Sequence, residues 1–326
     1  MYTIESGISQ IFSSAFVVPF WSERKIVNHL RGVFVLERRA PARPHCPVDE
    51  PLICRTEKDS DRETLKDALL ETVACDFKTC LRGNWPEYLM EAAISLYLFF
   101  TCLFATLFQH PNSPIHEMMP SALVRRGLMG IAVAATVVVI ALTPWGKQSG
   151  GHINPAMTFT FYRLGKVEFW DAVFYGVAQF GGAAAGVAIA TYLLHGAPGN
   201  ETARYAATLL GKCGSGVAFV AEAIISFSLM LTVLFVSNHG LFARYTPYFI
   251  GALYALFITF ETPLSGMSMN PARTFGPALQ TRHWHAVWVY FLGPTLGMLV
   301  ASEVFLWARK GIGPYCAKLH HANGKR

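Results

Sequence analysis

The tripeptide Asn-Pro-Ala occurs twice in this chain, and both copies stand in the same frame. Residues 149–159 and 265–275 are identical at 7 of 11 positions, and the motifs begin at Asn154 and Asn270, which are 116 residues apart. A single Asn-Pro pair is an ordinary turn signal. Two matched copies in a largely apolar chain indicate an internally duplicated membrane protein with the same special backbone feature in each half. The duplication disfavours the alternative of two ordinary capped turns.

Six apolar segments are candidates for membrane spans, because crossing the hydrocarbon core takes about 20 residues in a helix. The chain has 326 residues, of which 52% are hydrophobic and 15% are charged, a composition typical of a polytopic membrane protein. The predicted spans are residues 88–108, 127–143, 169–194, 216–236, 247–260 and 286–307. The second and fifth are short and need flanking residues. The sequence therefore predicts an all-α membrane protein with six transmembrane helices.

Each motif falls in the connection before the third span of a three-span half. Because three is an odd number, the two halves insert in opposite orientations and form an inverted repeat. Pro155 and Pro271 are each expected to begin a helix, since Asn caps free N–H groups and Pro suits the first helical position. The apolar runs that follow are too short to span. We therefore predict two re-entrant half-helices that enter the bilayer from opposite faces.

Two half-helices of this kind would bring their N-termini together near the middle of the membrane. Each N-terminus carries about half a positive charge, which opposes the passage of cations and protons. Irregular backbone at that depth is tolerated only when it is buried or lines a cavity, so the preceding loops are expected to form part of a pore wall. The predicted pore-loop residues are Gly150, Gly151, His152, Ile153, Gly266, Ser268 and Met269. His152 is alternatively an ordinary loop histidine.

The side-chain amides of Asn154 and Asn270 are expected to donate hydrogen bonds into this pore. A water molecule that accepts from both must point its own hydrogens outward, which interrupts a proton-conducting chain of waters. These features predict a pathway for uncharged molecules.

From about Trp85 to Arg309 the chain resembles the aquaporins, the major intrinsic protein family. The resemblance rests on both motifs, on Arg273 directly after the second, and on Glu91 and Glu222 early in the first helix of each half. The motif residues are Asn154, Pro155, Ala156, Asn270, Pro271 and Ala272. The resemblance implies that each glutamate braces backbone N–H groups of a pore loop, with a proton relay as the alternative. It also implies homotetramers with one pore per subunit.

The resemblance further implies a selectivity filter of four residues, which are Ala134, Ile258, Met267 and Arg273. The arginine matches the family pattern. Water-selective members usually have an aromatic residue in place of Ala134 and a histidine in place of Ile258, so a wider and more apolar constriction is expected. Flexible Met267 can fill part of that space. We predict a passive channel for water and for small neutral solutes such as ammonia, hydrogen peroxide, urea or glycerol, which excludes protons and ions.

Three alternatives remain open from the sequence. The first is a glycerol-type facilitator. It is disfavoured because Thr274 and Ala278 occupy positions where that subgroup usually has Asp and Lys. The second is a non-conducting membrane scaffold whose first segment binds partners. The third is an enzyme, although no catalytic or nucleotide-binding motif such as GxSxG or HExxH is present. No cofactor and no nucleic-acid partner is expected.

The regions outside the apolar part are predicted to be appended segments. Residues 1–86 carry 12 Lys and Arg against 12 Asp and Glu and include a Pro-rich stretch, so a largely disordered extension is expected, with a possible amphipathic helix over residues 59–77. Residues 87–310 form the predicted channel domain, and residues 311–326 form a second tail. The Lys and Arg distribution favours cytoplasmic termini, in a plasma or bacterial inner membrane.

The seven cysteines show no zinc-type spacing, and their odd number argues against a complete disulfide framework. Free thiols are therefore expected. A metal site formed by Cys75, Cys80 and His45 is disfavoured by their spacing. No secretory signal peptide is recognisable, so the first span is expected to act as the insertion signal.

Overall fold

The computed structural model describes residues 77–318, and this part of the chain is helical with no β-strand. The predicted all-α membrane architecture is confirmed. The α-helices are α1 (Phe77–Glu91), α2 (Ile94–Gln109), α3 (Pro114–Met118), α4 (Ala122–Leu142), α5 (Pro144–Ser149), α6 (Pro155–Arg163), α7 (Phe169–Leu193), α8 (Gly214–Ser237), α9 (Thr246–Phe260), α10 (Thr262–Ser265), α11 (Pro271–Thr281) and α12 (Val287–Ala308). The predicted amphipathic helix over residues 59–77 lies outside the described residues except for its last residue, and His45 and Cys75 lie outside them as well.

Five helical stretches are long and apolar enough to cross a bilayer. They are Phe77–Gln109, Ala122–Leu142, Phe169–Leu193, Gly214–Ser237 and Val287–Ala308. The fifth predicted span corresponds to α9, which has only 15 residues. The short helix α10 follows α9 after a single residue and continues the polypeptide toward the second motif.

The first span begins earlier than the sequence suggested. Helix α1 starts at Phe77, so residues 77–86, which we assigned to the appended segment, are helical. The Phe77 ring lies 5.2 Å from the rings of both Trp170 and Phe174 on α7. The Tyr88 hydroxyl donates a hydrogen bond to Asp171 on the same helix. These tertiary contacts, which the local pattern does not contain, extend the helix.

The two halves of the fold are built from matching helix pairs. In the first half α7 packs on α1 and α2, in the second α12 packs on α8, and α4 of one half packs on α9 of the other. Glycine allows the closest approaches. A Cβ on Gly186 of α7 would lie 2.3 Å from the Ser95 carbonyl oxygen, and a Cβ on Gly297 of α12 would lie 2.2 Å from that of Ala223. Close helix contacts at glycine are therefore present in both halves.

Helices α6 and α11 are the two predicted half-helices. They contain 9 and 11 residues and therefore cannot span a bilayer. They contact each other, and each packs against the last span of the opposite half, α6 on α12 and α11 on α7. The loops that precede them consequently meet in the centre of the fold.

One cysteine expectation is wrong. Cys80 is engaged in a disulfide bond, whereas we expected free thiols throughout. Cys102 and Cys213 do have free thiols. Spacing alone could not indicate this bond, because disulfide formation depends on which cysteines the tertiary fold brings close together.

Candidate functional site

The two loops before the half-helices follow the same unusual backbone path. Gly150 and Gly266, with φ of 99° and 86°, end the preceding short helices in the left-handed conformation. Ile153 and Met269 also have positive φ, 39° and 54°, immediately before each motif. Such conformations cost a non-glycine residue about 1–3 kcal/mol, so they persist only where surrounding contacts hold them. The paired strain marks both loops as functional candidates.

The two motif asparagines connect the loops directly. The side-chain Nδ2 of Asn154 donates to the Met269 carbonyl oxygen at 2.8 Å, and Nδ2 of Asn270 donates to the Ile153 carbonyl oxygen at 2.8 Å. The positive φ values of Ile153 and Met269 orient these two carbonyls. A primary amide has two N–H groups, so each asparagine retains one further N–H for a passing molecule.

The same asparagines cap their own half-helices, as predicted. Oδ1 of Asn154 accepts from the Ala156 N–H, and Oδ1 of Asn270 accepts from the Ala272 N–H, both at 3.0 Å. Pro155 and Pro271 are the first helical residues and have no N–H to satisfy. Because the amide oxygen is fixed by the helix end, the nitrogen must face the opposite loop.

Glu91 holds the first loop in place through hydrogen bonds to its carboxylate. Its carboxylate accepts from the Ser149 hydroxyl at 2.8 Å, from the backbone N–H groups of His152 and Ile153 at 3.0 and 2.6 Å, and from the Gln179 amide at 2.7 Å. The side chain is fully buried. Hydrogen bonds to a charged acceptor are about twice as strong as neutral ones, so this carboxylate can hold the strained loop in place.

Glu222 holds the second loop in the same way. It accepts from the Ser265 hydroxyl at 2.6 Å and from the N–H groups of Ser268 and Met269, both at 2.7 Å. It too is fully buried. This geometry supports the expected bracing role, and the two carboxylates engage separate loops, which does not favour a proton relay.

One tyrosine completes each brace, and sequence reasoning missed both tyrosines. The Tyr175 hydroxyl donates to the Ser149 carbonyl oxygen, and the Tyr290 hydroxyl donates to the Ser265 carbonyl oxygen, each at 2.7 Å. The two tyrosines are 115 residues apart, close to the motif separation of 116. Extending the comparison of the two halves beyond the motif would have found them.

Each loop also offers backbone acceptors. In each loop, the carbonyl oxygens of three consecutive residues accept no hydrogen bond from any donor among residues 77–318. These residues are Gly150, Gly151 and His152 in the first loop and Gly266, Met267 and Ser268 in the second. Unpaired carbonyls at this depth need a partner, which a polar molecule passing along the loops can supply.

The four predicted filter residues are all buried. Ala134, Ile258 and Met267 belong to one apolar cluster, and Arg273 is 6% exposed. The Arg273 guanidinium donates through Nη1 to the Ala206 carbonyl oxygen at 2.9 Å, while its buried Nε has no partner in the described part of the chain. The arginine is therefore anchored by the connection between α7 and α8.

Two further aromatic residues lie in the same cluster. Tyr97 on α2 and Tyr254 on α9 pack edge to face with ring centroids 6.2 Å apart. Both lie within electrostatic range of the Arg273 guanidinium. They supply aromatic groups near the predicted filter residues, which have none at position 134. Sequence alone could not separate them from ordinary packing residues in apolar helices.

The His152 side chain is fully engaged. Its ring stacks on Phe161 at a centroid distance of 4.9 Å, Nδ1 lies 3.1 Å from the Thr158 hydroxyl oxygen, and Nε2 lies 2.6 Å from the Ala317 carbonyl oxygen. The ring is thus fixed by the first half-helix and by the segment after α12. Within residues 77–318, no three His, Cys, Asp or Glu side chains are grouped as a metal site requires.

Comparison with known proteins identifies a protein family and individual relatives that are similar to this chain. The family model described as "Major intrinsic protein" matches residues 82–305. Aquaporin TIP2-1 of Zea mays is 34% identical over 183 residues, which cover 55% of this chain and 71% of that relative. Aquaporin TIP2-1 of Arabidopsis thaliana is 35% identical over 189 residues, covering 57% of this chain and 74% of the relative.

The fold is also similar to a solved structure. The X-ray structure of the aquaglyceroporin from Plasmodium falciparum aligns with a TM-score of 0.57 at 20% identity, covering 68% of this chain and 94% of that protein. At this identity the similarity concerns the fold alone.

Proposed function

Since this chain belongs to the major intrinsic protein family, whose members are passive membrane channels and not enzymes, we propose that it conducts water and small neutral solutes and excludes protons and ions. The enzyme alternative is rejected by family membership. The identity of the conducted molecules is our proposal, and the names of the plant relatives, which are aquaporins, support the water component.

The observation that carries the proposal is the reciprocal bonding of Asn154 and Asn270. Each amide uses one N–H to reach the opposite loop and retains another for a solute, at the point where the two half-helices begin. Two donors and two helix N-termini at one place favour an acceptor such as a water oxygen and oppose a cation. The six loop carbonyls that have no partner among residues 77–318 offer acceptors to the same molecule before and after this point.

The filter composition supports passage of solutes larger than water. Ala134 and Ile258 have side chains without a hydrogen-bond donor, and the family resemblance implies that water-selective members usually have an aromatic residue and a histidine at these positions. Tyr97 and Tyr254 add aromatic rings to the same apolar cluster, and Arg273 supplies the positive charge. We infer a constriction that is apolar on one side and cationic on the other, which favours small neutral solutes such as ammonia, hydrogen peroxide, urea or glycerol.

The glycerol-type facilitator remains the second candidate for substrate class. The fold similarity to an aquaglyceroporin is consistent with it at the level of architecture only. The non-conducting scaffold is disfavoured, because the family is one of channels and the described loops retain unpaired polar groups in their centre.

The protein is an integral membrane protein, and its finer placement is part of the proposal. We infer a plasma or bacterial inner membrane with cytoplasmic termini from the Lys and Arg distribution. A homotetramer is inferred from the family resemblance, and the many exposed apolar side chains on the spans provide surface for lipid or for neighbouring subunits.

Stopped-flow light scattering on proteoliposomes tests the substrate class. Water, glycerol, urea, ammonia and hydrogen peroxide are compared in one preparation, with empty liposomes as the control. We expect faster water movement than in empty vesicles and a measurable flux of at least one solute. Vesicles that contain folded protein and respond no faster than empty ones to any of the five would contradict the proposal.

A further inference from the structure

The segment that follows α12 folds back against the first re-entrant loop. The Tyr315 N–H donates to Oδ1 of Asn238, just after the end of α8, at 2.7 Å. Two residues further on, the Ala317 carbonyl oxygen lies 2.6 Å from Nε2 of His152. Ala317 has no exposed surface and Cys316 is 3% exposed. A tail merely lying in solvent would not bury these residues.

Ala317 contacts the loop that carries the unpaired carbonyls. It belongs to the same apolar cluster as Ile153, which precedes Asn154, and Ala156, which lies two residues after it. A Cβ placed on Gly150 would lie 3.0 Å from the Ala317 carbonyl oxygen. The segment therefore contacts the first loop near Gly150, whereas Asn270 bonds the other end of this loop, at Ile153.

The Ala317 carbonyl also occupies a hydrogen-bonding position that the pore loop provides. His152 Nδ1 is held by Thr158, so Nε2 is the ring nitrogen left to bind something beyond the half-helix. A buried ring N–H requires an acceptor. A water entering the pore beside the carbonyls of Gly150 and Gly151 could supply that acceptor, and the Ala317 carbonyl takes the same place.

We propose that residues 314–318, the closing segment, form a plug at the pore end next to the first loop, and that conduction requires this segment to leave. The proposal rests on the proposed function, since a plug regulates only a conducting pore. The segment is irregular, and hydrogen bonds to Asn238 and His152 attach Tyr315 and Ala317. It therefore exchanges between closed and displaced positions, and the unmodified protein conducts during the displaced fraction of time.

Substitution of Ala317 tests the plug directly in the full-length chain. Ala317→Glu places a charge where no exposed surface exists, so the closing segment cannot remain seated. We expect water permeability per channel to rise several-fold over the unmodified protein. Ile312→Glu is the matched control, because Ile312 is 56% exposed and lies outside the closing segment, and it should leave permeability unchanged.

A second pair of variants tests the anchor at Asn238. Both Asn238→Ala and Asn238→Asp remove the amide donors that bond Leu234 and Ser237, but only Asp keeps an acceptor for the Tyr315 N–H. We expect Asn238→Ala to conduct faster than Asn238→Asp. This comparison remains valid if Ala317→Glu lowers the yield of folded protein, which size-exclusion chromatography reports.

The outcomes separate the plug from the channel. Faster conduction by Ala317→Glu and Asn238→Ala supports the plug. Equal conduction by all variants, above that of empty liposomes, overturns the plug and leaves the channel intact. No conduction by any folded variant, including Ala317→Glu, overturns the proposed function itself.

Discussion

The Asn154 side-chain amide donates to the Met269 carbonyl oxygen at 2.8 Å and so ties the first re-entrant loop to the second. The opposite bond, from Asn270 to Ile153, has the same length. Together they make the meeting point of the half-helices a cross-linked unit whose geometry depends on both halves. Changes on either side should therefore affect both stability and ion exclusion.

The Asn270→Asp variant tests the cross-link. Aspartate keeps the helix-capping oxygen and replaces the donor to Ile153 with a second acceptor, so two oxygens would face each other. We expect a loss of about 1–3 kcal/mol in stability and an increased cation leak, because a negative charge offsets the helix N-termini. Thermal unfolding in detergent and vesicle conductance measure the two effects. Asn112→Asp at an exposed site is the control, and equal behaviour of both variants would refute the role of the cross-link.

The Glu91→Gln and Glu222→Gln variants test the two braces. Each carboxylate accepts two backbone N–H bonds from a strained loop, whereas glutamine carries one acceptor oxygen and adds donors. We expect each substitution to cost about 3 kcal/mol and to lower conduction. Exposed Glu117→Gln serves as the control in the same thermal unfolding assay. Unchanged melting temperatures in both variants would mean that the loops hold their own conformation.

Arg273→Ala tests the charge at the constriction. Removing the guanidinium that is anchored on Ala206 takes away the only fixed cation we assign to the filter. We expect weaker exclusion of cations and faster flux of urea and glycerol, with water flux maintained. Arg282→Ala, an exposed position at the end of α11, is the comparison variant. Identical selectivity of the two variants would place Arg273 outside the pathway.

The filter also predicts a gain of selectivity. The Ala134→Phe and Ile258→His pair restores the side chains typical of water-selective relatives by resemblance. Because it adds a ring and a donor to an apolar wall, we expect glycerol and urea flux to fall several-fold while water flux is retained. Solute flux that stays the same, with folded protein in the vesicles, would show that Tyr97 and Tyr254, and not residue 134, set the width.

Glu261 makes stability depend on pH. Burial raises the pKa of this carboxyl from the usual 4.5 to about 7; nearby Ser265 opposes the rise, Glu222 adds a smaller increase, and Arg273 has a still smaller opposing effect. Both carboxyl oxygens are buried without a partner in the described residues. The folded state keeps a proton that the unfolded state loses, so stability is greatest below pH 4.5 and falls as pH rises to about 7.

Glu261→Gln should remove this dependence. At pH 8 we expect the variant to be more stable than the unmodified protein by roughly 2 kcal/mol, and near pH 4.5 the difference should disappear. Thermal unfolding across this pH range measures it, with exposed Glu201→Gln as the control. A constant difference at all pH values would assign the effect to packing and not to ionisation.

Much of the central site could be predicted from local sequence. Asn154 and Pro155 form a helix start by local chemistry, because the Asn side chain caps the helix and Pro has no N–H to satisfy. The apolar run that follows them is too short to span a bilayer. The cost of an unpaired charge in a span shows only that Glu91 and Glu222 need partners, and their bracing role was implied by the family resemblance. The helix starts depend on neighbouring residues alone.

The remaining parts depend on contacts between distant residues. Tyr97 and Tyr254 resemble any aromatic residue of an apolar helix until the fold brings them beside Arg273. Helix α1 extends to Phe77 because of rings on α7, and Ala317 reaches His152 across 165 positions of the chain. Single-sequence patterns contain no information about such pairs.

Measuring water and proton permeability in the same proteoliposomes tests most directly whether the protein conducts water and excludes protons. Light scattering reports volume change, and an enclosed pH-sensitive dye reports proton entry, for the unmodified chain and for Ala317→Glu. We predict faster water movement than in empty vesicles, faster still in Ala317→Glu, with proton entry no greater than in empty vesicles. Proton entry that rises in parallel with water movement, or water movement no faster than in empty vesicles for both proteins, would contradict it.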